Sequence, residues 1–306
     1  MAELIHPQEV LQRLQRDVPA PVQPDFMLIG SLAVALHFRD RLSAGVRTKD
    51  ADLVLHPAGK LEACRAAAES LLAKGWQRRR PKRSCYPLGA DTPAKDLRAI
   101  RLFPPDDARY FVEFLTVPAV GQQEAMHWER VVLEDGVAEE HRGHYGVPSF
   151  RYLGLLQVGT LPAEIGGFRY AAPSMMALAA LLSHRRPLDR ETTMSEAVGD
   201  RTLRRCSKDL GRVLTLSHLC GAEQVLDQWA GVWAQSLGQA FPAEVDELVR
   251  TAGGGLEDLL ADPVLRDEAV HSCVTGLLVG QGVGAAALQA AGVRVLGGPL
   301  RELGGA

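Results

Sequence analysis

The sequence predicts an α/β chain of the α+β kind, with a mixed sheet and flanking helices over residues 1–165 and an α-helical domain over residues 166–306. Three observations carry this reading. Short apolar runs alternate with helix-period segments through the first half, strand-like runs nearly vanish in the last third, and Gly166-Gly167 punctuates the chain between the two regimes. A length of 306 residues matches about two ordinary domains, each with room for its own core.

Residues 26–30 form a short apolar run ending in glycine, and residues 31–39 continue at helical spacing with Leu32, Ala35 and Leu36 on one face. Strand, tight turn and helix is the simplest solution. Residues 51–55 predict a second strand, broken by Pro57, and residues 59–74 an alanine-rich helix stopped at Gly75. Two further strands, 97–103 and 110–117, are joined by the turn Pro104-Pro105-Asp106-Asp107. Shorter strands are expected at 131–133, 150–157 and 168–171. After Pro173 the pattern turns helical, at 174–184, 201–219, 227–237, 243–251, 256–260 and 267–278. The first of these is apolar nearly all round, as a buried helix is, and the second is amphipathic. The glycine clusters 253–255 and 280–284 follow no strand of a βαβ unit, so they read as loops and caps, not as a dinucleotide fingerprint.

Charge and cysteine usage exclude several function classes. With 34 Lys+Arg against 37 Asp+Glu the net charge is −3, so nucleic-acid binding through overall charge is excluded and only local basic patches remain. Five cysteines, Cys64, Cys85, Cys206, Cys220 and Cys273, are odd in number and lack metal-ligand spacing, which predicts reduced thiols. The first residues show no basic stretch followed by an apolar one, and runs such as 177–182 and 274–279 fall far short of a membrane span. A cytoplasmic protein without membrane association is expected.

The segment that carries chemistry is Leu28-Ile29-Gly30-Ser31, a helix, and then Lys49-Asp50-Ala51-Asp52-Leu53. On a strand, Asp50 and Asp52 project from one face about 6–7 Å apart. Two hard oxygen donors so placed suit Mg²⁺ or Mn²⁺ together with the phosphates of a substrate. Gly30-Ser31 at a helix start offers close backbone approach and amides for a phosphate. Glu113 lies between Phe111 and Leu115 on its strand face, where a carboxylate is costly unless paired or metal-bound, which makes it the candidate for the remaining metal ligand or general base.

Taken together, Gly-Ser before a helix, Asp-x-Asp on a strand and an acid on a later strand resemble the nucleotidyltransferase fold of the DNA polymerase β type. The whole chain is most similar to the stand-alone bacterial branch that includes the AbiEii and MenT toxins. Residues 170–185 and Ser207-Lys208-Asp209-Leu210 extend the likeness into the helical part. The resemblance implies transfer of an NMP group from an NTP to an acceptor hydroxyl with Mg²⁺, often at a tRNA 3′ end, and a cognate antitoxin as partner. By resemblance Gly30 and Ser31 bind the triphosphate, Asp50 and Asp52 the metal, Glu113 completes an acidic triad and Asp209 matches a later catalytic aspartate. Lys49, Arg185 and Lys208 join Gly30 and Ser31 as candidate nucleotide-binding residues.

Two features depart from that pattern. Eighteen residues separate Ser31 from Asp50, which demands a loop near residues 41–46. Alanine, Ala180, stands at the apparent position of an active-site lysine, so a catalytically degenerate nucleotide-, RNA- or protein-binding module is the alternative reading.

Two basic segments are the candidate RNA contacts. On a continuous helix Arg201, Arg204, Arg205, Lys208 and Arg212 fall within about 100° of one another, and Arg78, Arg79 and Arg80 open a basic run flanked by Trp76 and Tyr86, which suit base stacking. A solvated helix face and a solvated loop are the plainer readings of the same residues. His141 and His144 lack a third ligand and read as structural, while His184 reads as a helix-end histidine that faces the dipole.

Overall fold

A computed structural model describes residues 3–42, 45–57, 60–78, 89–118, 125–134, 137–165, 167–195 and 197–305. Arg79, Arg80, Cys85, Tyr86 and the boundary residue Gly166 lie outside the described residues. The structure is mixed α/β, with a mixed sheet and helices. In chain order the elements are β1 (Leu4–Ile5), α1 (Pro7–Asp17), β2 (Phe26–Ile29), α2 (Gly30–His37), β3 (Val46–Arg47), β4 (Asp50–Leu55), α3 (Leu61–Ala73) and β5 (Gln77–Arg78). There follow β6 (Arg101–Phe103), β7 (Phe111–Leu115), β8 (Met126–Leu133), β9 (Gly143–Phe150), α4 (Leu153–Val158), β10 (Thr160–Ile165) and β11 (Phe168–Ala171). The rest is helical, with α5 (Pro173–Ser183), α6 (Arg205–Cys220), α7 (Ala222–Ala240), α8 (Val245–Thr251), α9 (Gly254–Ala261), α10 (Pro263–Thr275), α11 (Ala285–Val295) and α12 (Arg301–Gly305).

The chain forms two compact units. One comprises Pro7–Ala33 and Lys49–Ala171, the other Met1–His6, Val34–Thr48 and Ala172–Ala306. The units therefore interleave along the chain where the sequence predicts one division at 165. In the helical unit, β1 pairs antiparallel with β3, and the amide of Arg47 donates to the carbonyl of Gly276. Arg41 donates to the carbonyl of Leu219 at the end of α6. These hydrogen bonds hold both early segments to elements that the sequence places far downstream.

The sheet unit is built on seven strands in the order β10-β11-β2-β4-β7-β6-β5. Strand β2 is buried at all four positions, as a central strand is, and it lies parallel to β11 and antiparallel to β4. Strand β4 is in turn parallel to β7. Phe26 and Phe114 meet in the core with ring centroids 5.7 Å apart. Trp76, 1% exposed, donates its indole N–H to the buried Asp17 at 2.9 Å, so it is not available for stacking on bases. A separate hairpin pairs β8 with β9, extending well beyond the expected 131–133.

In the helical unit α6 is the hub, packed against α5, α10 and α11. Gly211 makes that packing close: a methyl group there would lie 2.9 Å from the carbonyl oxygen of Ala269 on α10. Trp229 and Trp233 of α7 pack with centroids 5.3 Å apart. No helix among the described residues is long and apolar enough to cross a membrane.

Several expected elements differ. The predicted strand 150–157 is instead the last residue of β9 followed by helix α4, with Leu153, Leu155 and Leu156 buried. So short an apolar run satisfies either period. The strand 97–103 contracts to β6, and the helix expected from Arg201 begins at Arg205. Helices α1 and α11 were not among the expected elements.

Close packing at Gly211 predicts opposite responses at two helical glycines. Gly211→Ala is expected to destabilise by about 1–3 kcal/mol through overpacking. Gly231→Ala, on α7 where added atoms meet open space, is expected to stabilise by up to about 1 kcal/mol. Urea unfolding of the two variants measures both.

Candidate active site

The turn between β2 and α2 faces the first half of β4. Antiparallel register sets Ile29 opposite Asp52, and parallel register sets Asp52 opposite Glu113 and Asp50 opposite Phe111. Because side chains alternate along a strand, Asp50, Asp52 and Glu113 share one face of the sheet. All three are half-buried. Lys49 precedes them, and its carbonyl accepts from the amide of Phe111 at 2.9 Å, which continues the β4–β7 ladder to the start of the acidic pair.

Gly30 is required here twice over. Its φ of +69° lies in the left-handed region, and a Cβ at this position would stand 2.8 Å from Oδ2 of Asp52. The Asp52 carboxylate thus occupies the space a side chain would fill. Gly30 is also the first residue of α2, so Ser31 and the adjacent amides sit at the positive end of a helix.

Glu113 has the partner that its apolar strand demands, and that partner is Arg101. Register places Arg101 of β6 directly opposite, and its Nε and Nη2 both reach Oε1 at 2.9 Å. The guanidinium also lies over the ring of Phe111, 5.3 Å from its centroid. Arg101 is the site residue that motif reading misses, although it falls in a predicted strand whose pairing with the next would have set it beside Glu113. Among the described residues no three of His, Cys, Asp and Glu converge closely enough to hold a metal ion. The acidic row therefore consists of Asp50, Asp52 and Glu113, with Glu113 paired to Arg101.

The remaining expected residues fall elsewhere. Arg78 folds onto the β8–β9 hairpin, donating to His141 Nδ1 at 3.2 Å and to the carbonyl of Glu140, with its guanidinium 5.1 Å from the ring centre of Tyr145. His144 lies 3.1 Å from Arg130. Both histidines thus have arginine neighbours.

Asp209, Lys208 and Arg185 belong to the helical unit. Oδ2 of Asp209 accepts from His184 Nε2 at 3.0 Å and from Arg205 Nε at 2.9 Å. Burial opposes ionisation of Asp209, but the His184 hydrogen bond and the charges of Arg205 and Arg212 outweigh it and hold the carboxyl below its ordinary value. Arg185 pairs with Glu247 and Thr251 at 3.2 Å. The cationic stripe drawn on a helix from Arg201 is corrected by the later start of α6. Arg201 and Arg204 lie outside α6 and pair with Asp267 and Glu268 of α10. Ala180, at the apparent lysine position, lies half-buried on α5. Comparison of the chain with protein-family models, curated proteins and solved structures returns no match.

Two predictions follow from these contacts. Gly30→Ala combines left-handed strain with collision against Asp52, and it is expected to cost about 1–3 kcal/mol in chemical unfolding. Asp209 has a native carboxyl held below its unfolded value of about 3.9. Its stabilisation is therefore complete above that value and is lost as pH falls below it. The difference in unfolding free energy between wild type and Asp209→Asn should be greatest near neutrality and shrink steadily from about pH 4 downwards.

Proposed function

We propose that the chain is a metal-dependent nucleotidyltransferase, of the DNA polymerase β type in its sheet unit, that moves an NMP group from an NTP to an acceptor hydroxyl. One observation carries the reading: the Asp52 carboxylate packs against the left-handed Gly30 at the start of α2, within a row that also contains Asp50 and Glu113. This juxtaposes a phosphate-binding helix start with paired acids, the two features that triphosphate chemistry needs at one place.

In this reading the amides after Gly30 and the hydroxyl of Ser31 hold the β and γ phosphates, and Lys49 adds positive charge beside the acidic pair. Asp50 and Asp52 hold Mg²⁺ or Mn²⁺, which when bound neutralises the triphosphate and activates the acceptor hydroxyl. Glu113, its charge met by Arg101, completes the row from β7. The acceptor oxygen would attack the α-phosphate, forming a P–O bond as the bond to the β-phosphate breaks, with the hydroxyl proton passing to a carboxylate of the acidic row or to water and pyrophosphate leaving.

A degenerate binding module is the second reading, favoured by Ala180 and by the capture of Glu113 by Arg101. The acceptor remains a class: a tRNA 3′ end, a protein hydroxyl or a small molecule. Pairing of Arg201, Arg204 and Arg205 with carboxylates removes the continuous basic stripe as an argument for RNA.

Calorimetric titration with Mg²⁺-NTP is expected to give saturable binding to wild type and at least about tenfold weaker binding to Asp52→Ala, as loss of a charged ligand implies. Equal affinities would refute the site. Incubation with α-labelled NTPs and total tRNA, and separately with protein extract, reads the acceptor. Turnover gained only in Ala180→Lys would favour the degenerate module, and turnover by the native chain the enzyme.

A further inference from the structure

We propose that the helical unit carries a second site, a pocket for a small phosphate-bearing organic molecule, walled by Arg186, Arg250 and Arg301. The pocket has a volume of about 600 Å³ and lies where the turn between α8 and α9 faces residues 296–304. That volume falls within the usual range of small-molecule sites. Val249, Leu296 and Leu300 give it an apolar lining, and Gly253 and Gly254 contribute backbone without side chains.

Two arginines whose charge no carboxylate meets among the described residues border this pocket. Elsewhere in the unit Arg185, Arg190, Arg201, Arg204 and Arg205 each meet a carboxylate. The guanidiniums of Arg250 and Arg301 have no hydrogen-bond or ion-pair partner among the described residues, and both residues border the same pocket. The third guanidinium is fixed. Arg186 donates from Nε to the Gly254 carbonyl at 3.1 Å and to Asp258 at 2.8 Å, and its Nη2 meets Glu257 at 3.0 Å. Its stem presses on Gly254 so closely that a Cβ there would lie 2.8 Å from Cγ of Arg186.

With Arg186 compensated by Glu257 and Asp258, Arg250 and Arg301 leave the wall net positive. Guanidinium forks match phosphate oxygens in pairs, and two of these forks are uncommitted. The apolar lining adds a place for an organic body, which a bare ion does not use. A phosphate monoester joins both halves, whereas an RNA backbone would leave the apolar lining unfilled. This site is independent of the acidic row on β4.

Calorimetric titration with phenyl phosphate tests the proposal, with inorganic phosphate and benzyl alcohol as the two half-ligands. Wild type is expected to bind phenyl phosphate more tightly than either half. The double variant Arg250→Ala/Arg301→Ala should lose at least about tenfold in affinity, given the strength of charge-assisted hydrogen bonds. Its thermal midpoint should stay unchanged, because neither arginine has a native partner to lose. Arg250→Lys/Arg301→Lys should bind between the two, and Asp52→Ala should bind as wild type does. The proposal is overturned if phenyl phosphate shows no saturable binding, if the double alanine variant binds it equally well, if inorganic phosphate binds as tightly, or if a short single-stranded RNA displaces it with higher affinity.

Discussion

Strand β4 is paired on both sides in opposite senses, and the candidate site depends on this. Its antiparallel partner β2 brings the Gly30 turn to Asp52, while its parallel partner β7 brings Glu113 to the same residue from the other side. A slip of one residue on either side would send Asp52 to the opposite face of the sheet. The alternation Asp50-Ala51-Asp52-Leu53, half-buried and buried in turn, opposes such a slip because it would exchange the aspartates with the buried Ala51 and Leu53. Gly30 then closes the arrangement by leaving out the one group that would collide with Asp52.

Electrostatics follow from that register. Three carboxylates on neighbouring strand positions repel one another, and Arg101 on the next strand offsets this by pairing with Glu113. The helical unit uses the same device more widely. Its arginines reach across to acids on α6, α8, α9 and α10, and Asp209 is held by two donors at once. Arg250 and Arg301, which border the pocket at Gly253-Gly254, take no part in these pairs.

Much of the sheet unit was legible because its signals are local. Apolar run, glycine and helix in sequence specify β2, the turn and α2, and the alternation Asp50-Ala51-Asp52-Leu53 specifies a half-buried strand. The demand that Glu113 be paired was also legible, since a carboxylate between Phe111 and Leu115 needs a partner. What was not legible is long-range. The turn at 104–107 implies that β6 pairs with β7 but not the register that sets Arg101 opposite Glu113, and nothing near Val46-Arg47 announces that it pairs with the chain start. The basic stripe failed for a related reason: helical angles were projected past the true start of α6, and acids on α10, more than sixty positions away, claim Arg201 and Arg204. Trp76 reads as exposed beside a basic run but is buried by its bond to Asp17, another distant partner.

The central claim is that the Gly30 turn and the Asp50–Asp52 pair together hold a metal-bound triphosphate. A crystal grown with Mn²⁺ and a non-hydrolysable NTP analogue tests it most directly. The account predicts an anomalous peak bonded to the carboxylates of Asp50 and Asp52, with the triphosphate oxygens against the amides that follow Gly30. A peak bonded to other residues, or a nucleotide seated away from Gly30 and Ser31, would contradict it.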